Sequence, residues 1–170
     1  MLQQLLPDDV ESLAAKVIDA NKSAGRKVVL AESCTGGLVS AALTEIPGSS
    51  SVFDRGFVTY SNEAKMEMLG VPLDLIETFG AVSIACAWAM AKGALARSNA
   101  DVAVAISGVA GPTGGTELKP VGTVVFARVL RGQESEPTGE LKKFDATTRA
   151  DIRREATLCA LELLLPENPG

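Results

Sequence analysis

From Val28 to Gly37 the sequence reads Val-Val-Leu-Ala-Glu-Ser-Cys-Thr-Gly-Gly, an apolar run that breaks into small polar residues and a glycine pair. Leu38, Val39, Ala42, Leu43 and Ile46 follow at helical spacing. The pattern predicts a buried strand, a tight turn and the start of a helix. That step is the building unit of α/β folds. Such a turn aims backbone N–H groups and the positive end of a helix at one point, which suits an oxyanion or a phosphate. The hydroxyl of Ser33 belongs beside that field. The chain has no histidine, so activation of Ser33 falls to a lysine, a tyrosine or a carboxylate.

The rest of the chain repeats the alternation. Pro7-Asp8-Asp9 opens an amphipathic helix that stops near Gly25, and Lys27–Ala31 forms the first strand. A helix over Gly37–Ile46 is followed by a Pro-Gly-Ser loop and a second strand, Phe53–Tyr60. Ser61 or Asn62 caps a short helix that Gly70 ends. Pro72–Phe79 forms another, and Ser83 caps a long alanine-rich helix. Val102–Ser107 is almost wholly apolar and so belongs at the centre of the sheet. A Gly/Pro loop over 108–122 leads to a strand over Gly122–Leu130, a last strand around Leu141–Phe144 and a closing helix over Arg149–Leu165. The expectation is a single α/β domain over residues 1–170, a three-layer α/β/α sandwich with a mixed, mostly parallel sheet.

Composition narrows the function classes. At 170 residues, 46% hydrophobic and 22% charged, the chain can bury a substantial core. A net charge of −5 argues against nonspecific nucleic-acid binding, which needs a basic face. No apolar run approaches the roughly 20 residues that span a bilayer, so no membrane partner is expected. The N-terminus lacks the basic start of a signal peptide. Cys34, Cys86 and Cys159 are an odd, widely spread set, which predicts reduced thiols in a cytoplasmic protein. Without histidine or paired cysteines no metal site is expected.

Three further segments carry candidate chemistry. In Val58-Thr59-Tyr60-Ser61-Asn62-Glu63-Ala64-Lys65, Tyr60 ends a strand and Lys65 sits one turn into a helix, so both can face one cleft. Gly80-Ala81-Val82-Ser83 is a turn with a helix cap. Ser107-Gly108-Val109-Ala110-Gly111-Pro112-Thr113-Gly114-Gly115-Thr116 is a glycine-rich loop after a buried strand, where backbone can approach a ligand and offer N–H donors to anions.

These segments together resemble the CinA C-terminal domain family, whose members include stand-alone nicotinamide-nucleotide amidases of the PncC type. The resemblance rests on Ala-Glu-Ser-Cys-Thr-Gly-Gly at 31–37, Tyr-Ser-Asn at 60–62 with Lys65, Gly-Ala-Val-Ser at 80–83 and Ser-Gly-Val-Ala-Gly-Pro-Thr-Gly-Gly at 107–115. It implies hydrolysis of the carboxamide of nicotinamide mononucleotide to nicotinate mononucleotide and ammonia, in cytoplasmic pyridine-nucleotide salvage, with no cofactor. It places the nucleophile at Ser33, the lysine at Lys65, the tyrosine at Tyr60 and an arginine at Arg149. Substrate binding is then expected from Thr35, Gly36, Gly37, Gly108, Gly111, Gly114, Gly115 and Arg149. Family members often have Gly-Asp-Arg before the last helix, whereas this chain has Ala146-Thr147-Thr148-Arg149. Many relatives also carry a large N-terminal molybdopterin-binding-like domain; this sequence contains none, and the activity of that domain is expected to be absent.

The residues agree with the implied chemistry. Amide hydrolysis needs a nucleophile, a base, oxyanion donors and a proton for departing ammonia. A serine–lysine pair supplies the first two once burial or neighbouring positive charge keeps the amine neutral. Tyr60 either relays the proton or fixes the Lys65 amine. Read without the family, Ser33 is a helix cap, Lys65 a solvated residue and Tyr60 a strand-end aromatic packed on the core. Cys34 is the competing nucleophile, since a helix N-terminus lowers a thiol's pKa. By strand alternation Glu32 points away from Ser33 and organises the turn as readily as it serves chemistry. Arg149 at a helix start sits against the dipole, which favours a ligand role; Arg153 and Arg154 are expected in solvent. Trp88 reads as core or subunit interface, and the alanine-rich helix as a surface for a homo-oligomer. A nucleotide-binding regulatory module without catalysis is the alternative from a different class.

Overall fold

The computed structural model describes Met1 and residues 3–167. Five strands form one sheet: β1 (Val28–Glu32), β2 (Phe53–Val58), β3 (Val102–Gly108), β4 (Thr123–Leu130) and β5 (Thr138–Lys143), in the order β2-β1-β3-β4-β5. β1 pairs in parallel with β2 and β3, whereas β4 is antiparallel to both β3 and β5. Four strands therefore run one way and β4 runs against them, giving the expected mixed sheet. β3 is its middle strand, and its first six residues are fully buried, which is what its apolar run requires.

Helices cover both faces. α1 (Asp8–Ser23), α2 (Leu38–Thr44) and α6 (Arg149–Leu163) pack on the side to which Val28, Leu30, Val104, Ile106 and Phe126 point. α3 (Asn62–Leu69), α4 (Leu73–Phe79) and α5 (Ile84–Ala96) cover the side of Val29, Ala31, Ala103, Ala105 and Val125. Strand alternation thus splits the core into two layers. In α1 the buried residues Val10, Ala14, Val17, Ile18 and Asn21 form one stripe, and Asp8, Asp9 and Glu11 complement its positive end. Ser61 and Ser83 cap α3 and α5, accepting from the N–H groups of Ala64 and Cys86. Gly93 lets α5 lie against α3, because a Cβ there would stand 2.0 Å from the carbonyl oxygen of Leu69.

Two boundaries differ from the sequence reading. β2 ends at Val58, which leaves Tyr60 beyond the strand. β5 begins at Thr138 rather than near Leu141, pairing Thr138 and Gly139 with Arg128 and Ala127. Gly139 looks like a turn residue, yet it serves packing: a Cβ there would lie 2.4 Å from Cγ2 of Ile84 on α5.

The three neighbouring parallel strands end together, at Glu32, Val58 and Gly108. Everything that leaves those ends converges on one edge of the sheet. In open α/β sheets this is where ligands bind.

Candidate active site

The turn after β1 is built around Glu32. This carboxylate is fully buried and accepts from the hydroxyls of Thr35 (2.7 Å) and Ser40 (2.7 Å) and from the N–H groups of Val39 (3.0 Å) and Ser40 (3.1 Å). It therefore satisfies the first free amides of α2 and supplies the negative charge that a helix N-terminus favours. Gly36 (φ +58°) and Gly37 (φ +100°) take left-handed backbone, which side chains disfavour. Gly36 N–H closes the turn on the Ser33 carbonyl at 3.0 Å. Ser33 itself extends the sheet, its N–H donating to the carbonyl of Ile106.

The Ser33 hydroxyl meets α3 across the cleft. Lys65 Nζ lies 3.1 Å from Ser33 Oγ, with the carbonyl oxygens of Thr59 at 2.9 Å, Tyr60 at 3.3 Å and Ser61 at 3.5 Å. Lys65 is only 1% exposed, and among the described residues its ammonium has no carboxylate partner within salt-bridge distance. Burial pushes its pKa below the ordinary lysine value, opposed by the Cys86 and Cys34 thiols. Four oxygens then surround an amine whose charged form burial disfavours and whose hydrogen-bond acceptors favour. A neutral amine has two N–H donors for carbonyls and one lone pair, which the Ser33 O–H fits.

Cys34 lies in the same cleft with the opposite tendency. Burial pushes its thiol up to about 11, outweighing a backbone hydrogen bond and the nearby Arg153 guanidinium. A thiol that is protonated at neutral pH is a poor nucleophile.

The cleft encloses about 310 Å³ and is lined by Ser33, Cys34, Tyr60, Asn62, Lys65, the turn at Ala81 and Val82, the loop from Ser107 to Gly114, and Arg149. Lys65 and Arg149 are the basic side chains of that lining, which contains no carboxylate. Arg149 opens α6 and donates to the carbonyl of Gly111 (2.6 Å) and to the Tyr60 hydroxyl (3.1 Å). Tyr60 is 63% exposed rather than packed on the core. Its hydroxyl meets Arg149, and its main-chain carbonyl meets Lys65.

The structure thus gathers Ser33, Lys65, Tyr60, Gly108, Gly111, Gly114 and Arg149 around one space. Thr35, Gly36, Gly37 and Gly115 stand behind it. Thr35 is buried with its hydroxyl on Glu32, Gly36 faces the Arg153 guanidinium, Gly37 faces Val58, and Gly115 packs on the backbone at Pro120 and Val121. They shape the walls from outside the lining. Ser107 and Asn62 line the cleft, although the sequence reading gave Ser107 no role and Asn62 only that of a candidate helix cap; both lie within motifs already singled out.

Arg153 corrects that reading. Rather than standing in solvent, it donates to the carbonyls of Cys34 (3.1 Å) and Thr35 (3.2 Å). Its spacing from Arg149 held the clue, since residues four apart share a helix face. Arg154 is exposed and pairs with Asp9. Among the described residues no cluster of potential metal ligands occurs and no helix is long and apolar enough to cross a membrane.

Comparison with known proteins places these features in a family. The profile described as the CinA C-terminal domain matches residues 10–167. The chain is similar to the nicotinamide-nucleotide amidohydrolase PncC of Escherichia coli strain K12, 48% identical over 156 residues that cover 92% of this chain and 93% of that protein. It is 49% identical to a CinA-like protein of Mycobacterium avium over 95% of this chain but 37% of that protein, and 51% identical to one of Akkermansia muciniphila over 33% of its length. The chain thus spans about a third of the length of such curated relatives. Among solved structures, the competence/damage inducible protein CihA from Agrobacterium tumefaciens superposes with a TM-score of 0.91 at 48% identity, covering 95% of this chain and 97% of that one.

Proposed function

The chain belongs to the CinA C-terminal domain family, and from that premise we propose that it is an amidohydrolase converting nicotinamide mononucleotide and water to nicotinate mononucleotide and ammonia. The observation that carries the reading is the contact between the hydroxyl of Ser33 and the buried amine of Lys65. The similarity to the E. coli nicotinamide-nucleotide amidohydrolase supplies the substrate.

In this mechanism the Ser33 O–H donates to the lone pair of neutral Lys65 Nζ, and Ser33 Oγ attacks the carboxamide carbon. Lys65 takes the proton. Its ammonium then gives that proton to the departing nitrogen, so ammonia leaves and the nicotinoyl group stays as an ester on Ser33. Water, deprotonated by the same amine, attacks the ester and releases the carboxylate product, returning Ser33 to its hydroxyl form. The carbonyls of Thr59, Tyr60 and Ser61 hold the amine throughout and favour its charged form once it has accepted the proton. The main-chain N–H of Cys34, the residue after the nucleophile, is the candidate oxyanion donor.

The phosphate is assigned to Arg149 and the loop at Gly108–Gly114, where a cation and glycine backbone meet without a carboxylate in the lining. The Tyr60 hydroxyl keeps Arg149 in place. Ammonia release from nicotinamide mononucleotide and from free nicotinamide tests the reading. The account expects turnover of the nucleotide and far slower turnover of the base. Tight nucleotide binding without ammonia release would mark a binding module instead.

A further inference from the structure

α6 carries two arginines one turn apart, and each reaches a different wall of the cleft. Arg149 holds the glycine loop at Gly111 and the Tyr60 hydroxyl; Arg153 holds the turn that carries the nucleophile, at Cys34 and Thr35. We propose that Arg153 is a positioning residue that fixes the Ser33 turn against α6, and so sets the distance between the nucleophile and the substrate-binding wall. The inference rests on the amidase reading for its substrate.

Three observations carry it. First, the guanidinium makes a fork: Nε donates to one carbonyl and Nη2 to the next. Only arginine spans two adjacent carbonyls with a rigid planar group, so a lysine ammonium reproduces the charge without the geometry. Second, among the described residues Arg153 has no carboxylate within salt-bridge distance. Its hydrogen bonds go to the turn, 118 and 119 residues away in sequence, rather than to an ion pair. Third, the turn is shaped to receive it. A Cβ on Gly36 would lie 3.3 Å from Nη2, and Gly36 already requires left-handed backbone.

Glu32 completes the arrangement from the other side. Its carboxylate takes N–H and hydroxyl donors at Thr35, Val39 and Ser40, while Arg153 takes the carbonyls of Cys34 and Thr35. The turn is gripped through its donors by an anion and through its acceptors by a cation. Ser33 lies in the chain between Glu32 and the carbonyls that Arg153 holds. A nucleophile displaced by about 1 Å commonly costs on the order of a hundredfold in rate, so this restraint acts on kcat rather than on binding.

The test uses the full chain with Arg153→Met, which keeps the aliphatic stem and removes the donors, and Arg153→Lys. Four quantities are read: kcat for nicotinamide mononucleotide, the rate at which a fluorophosphonate probe labels Ser33, the dissociation constant of the product nicotinate mononucleotide, and the urea midpoint. The proposal expects kcat and labelling in Arg153→Met to fall by about tenfold or more, product affinity to stay within about twofold, and the pH at which kcat is half-maximal to stay put. Arg153→Lys should recover part of both rates. Wild-type kcat and labelling in Arg153→Met would overturn it, as would a loss that appears only in product affinity or follows the urea midpoint alone. A wild-type protein labelled at Ser33 but inert toward nicotinamide mononucleotide would refute the amidase reading, and the labelling ratio would still decide the role of Arg153.

Discussion

Lys65 Nζ stands 3.1 Å from Ser33 Oγ, on a helix that begins 29 residues after the serine, and the amine is almost wholly buried. Main-chain carbonyls hold it, and among the described residues no carboxylate lies within salt-bridge distance. Because burial lowers the pKa of Lys65, the folded protein binds fewer protons at this site than the unfolded chain does between the lowered value and the ordinary one of 10.5. Stability therefore rises with pH across that window; below it the amine is charged in both states, so its cost is fully present and does not change with pH.

That sign gives the first prediction. Urea midpoints measured from pH 7 to 10 should rise in the wild type relative to Lys65→Met, with unchanged m-values. The Cys34 thiol, raised to about 11 by burial, contributes the opposite slope at high pH, so the difference is read below its ordinary value of 9.0, where it stays protonated in both states. Parallel curves would mean that Lys65 is not desolvated.

The second prediction separates the two adjacent nucleophile candidates. Ser33→Ala should lose at least about a thousandfold in kcat, the usual scale for removing a nucleophile. Cys34→Ala should keep kcat within about threefold and cost roughly 1–2 kcal/mol of stability, since a small buried group is lost. Iodoacetamide should alkylate Cys34 slowly at pH 7.5. The reverse pattern of activities would move the chemistry to the thiol.

A third prediction concerns the Tyr60 hydroxyl, which braces Arg149. Tyr60→Phe should raise KM for nicotinamide mononucleotide several-fold with kcat little changed, and Arg149→Gln should raise it further while narrowing the preference over free nicotinamide. A large fall in kcat for Tyr60→Phe at constant KM would instead give the hydroxyl a proton-transfer role.

Much of this site was readable from the chain, and the unread part has a common cause. The turn at Ser33, the caps at Ser61 and Ser83 and the central place of Val102–Ser107 follow from local rules, which act over a few residues and leave a pattern in sequence. Gly139 and Gly93 look like weak points of a strand and a helix, yet they mark where another element's side chain or backbone approaches. Arg153 looks like any helix-surface cation until the turn it grips is known, and nothing local in the sequence shows that the Thr35 hydroxyl is set on Glu32 or Gly36 against Arg153. Sequence shows which residues bend the chain; it does not show which partner the bend is made to fit.

A fourth prediction tests that point at Glu32, whose carboxylate accepts four hydrogen bonds while buried. Glu32→Gln turns one oxygen into a donor facing donors. Chemical denaturation should show a loss of roughly 2–3 kcal/mol, the cost of leaving buried donors unsatisfied. A change under about 0.5 kcal/mol, the range of ordinary surface substitutions, would mean the turn does not depend on that charge.

The most direct test of the account is Lys65→Arg, assayed for ammonia release from nicotinamide mononucleotide across pH 6 to 10. Arginine keeps a positive charge and does not give up its proton in this range, so it cannot act as a base. The account predicts a protein that still binds nicotinate mononucleotide but has lost nearly all turnover at every pH, whereas the wild-type rate rises with pH as Lys65 becomes neutral and its half-maximum lies below the ordinary lysine pKa. Wild-type kcat in Lys65→Arg throughout that range would show that the amine never takes the proton of Ser33.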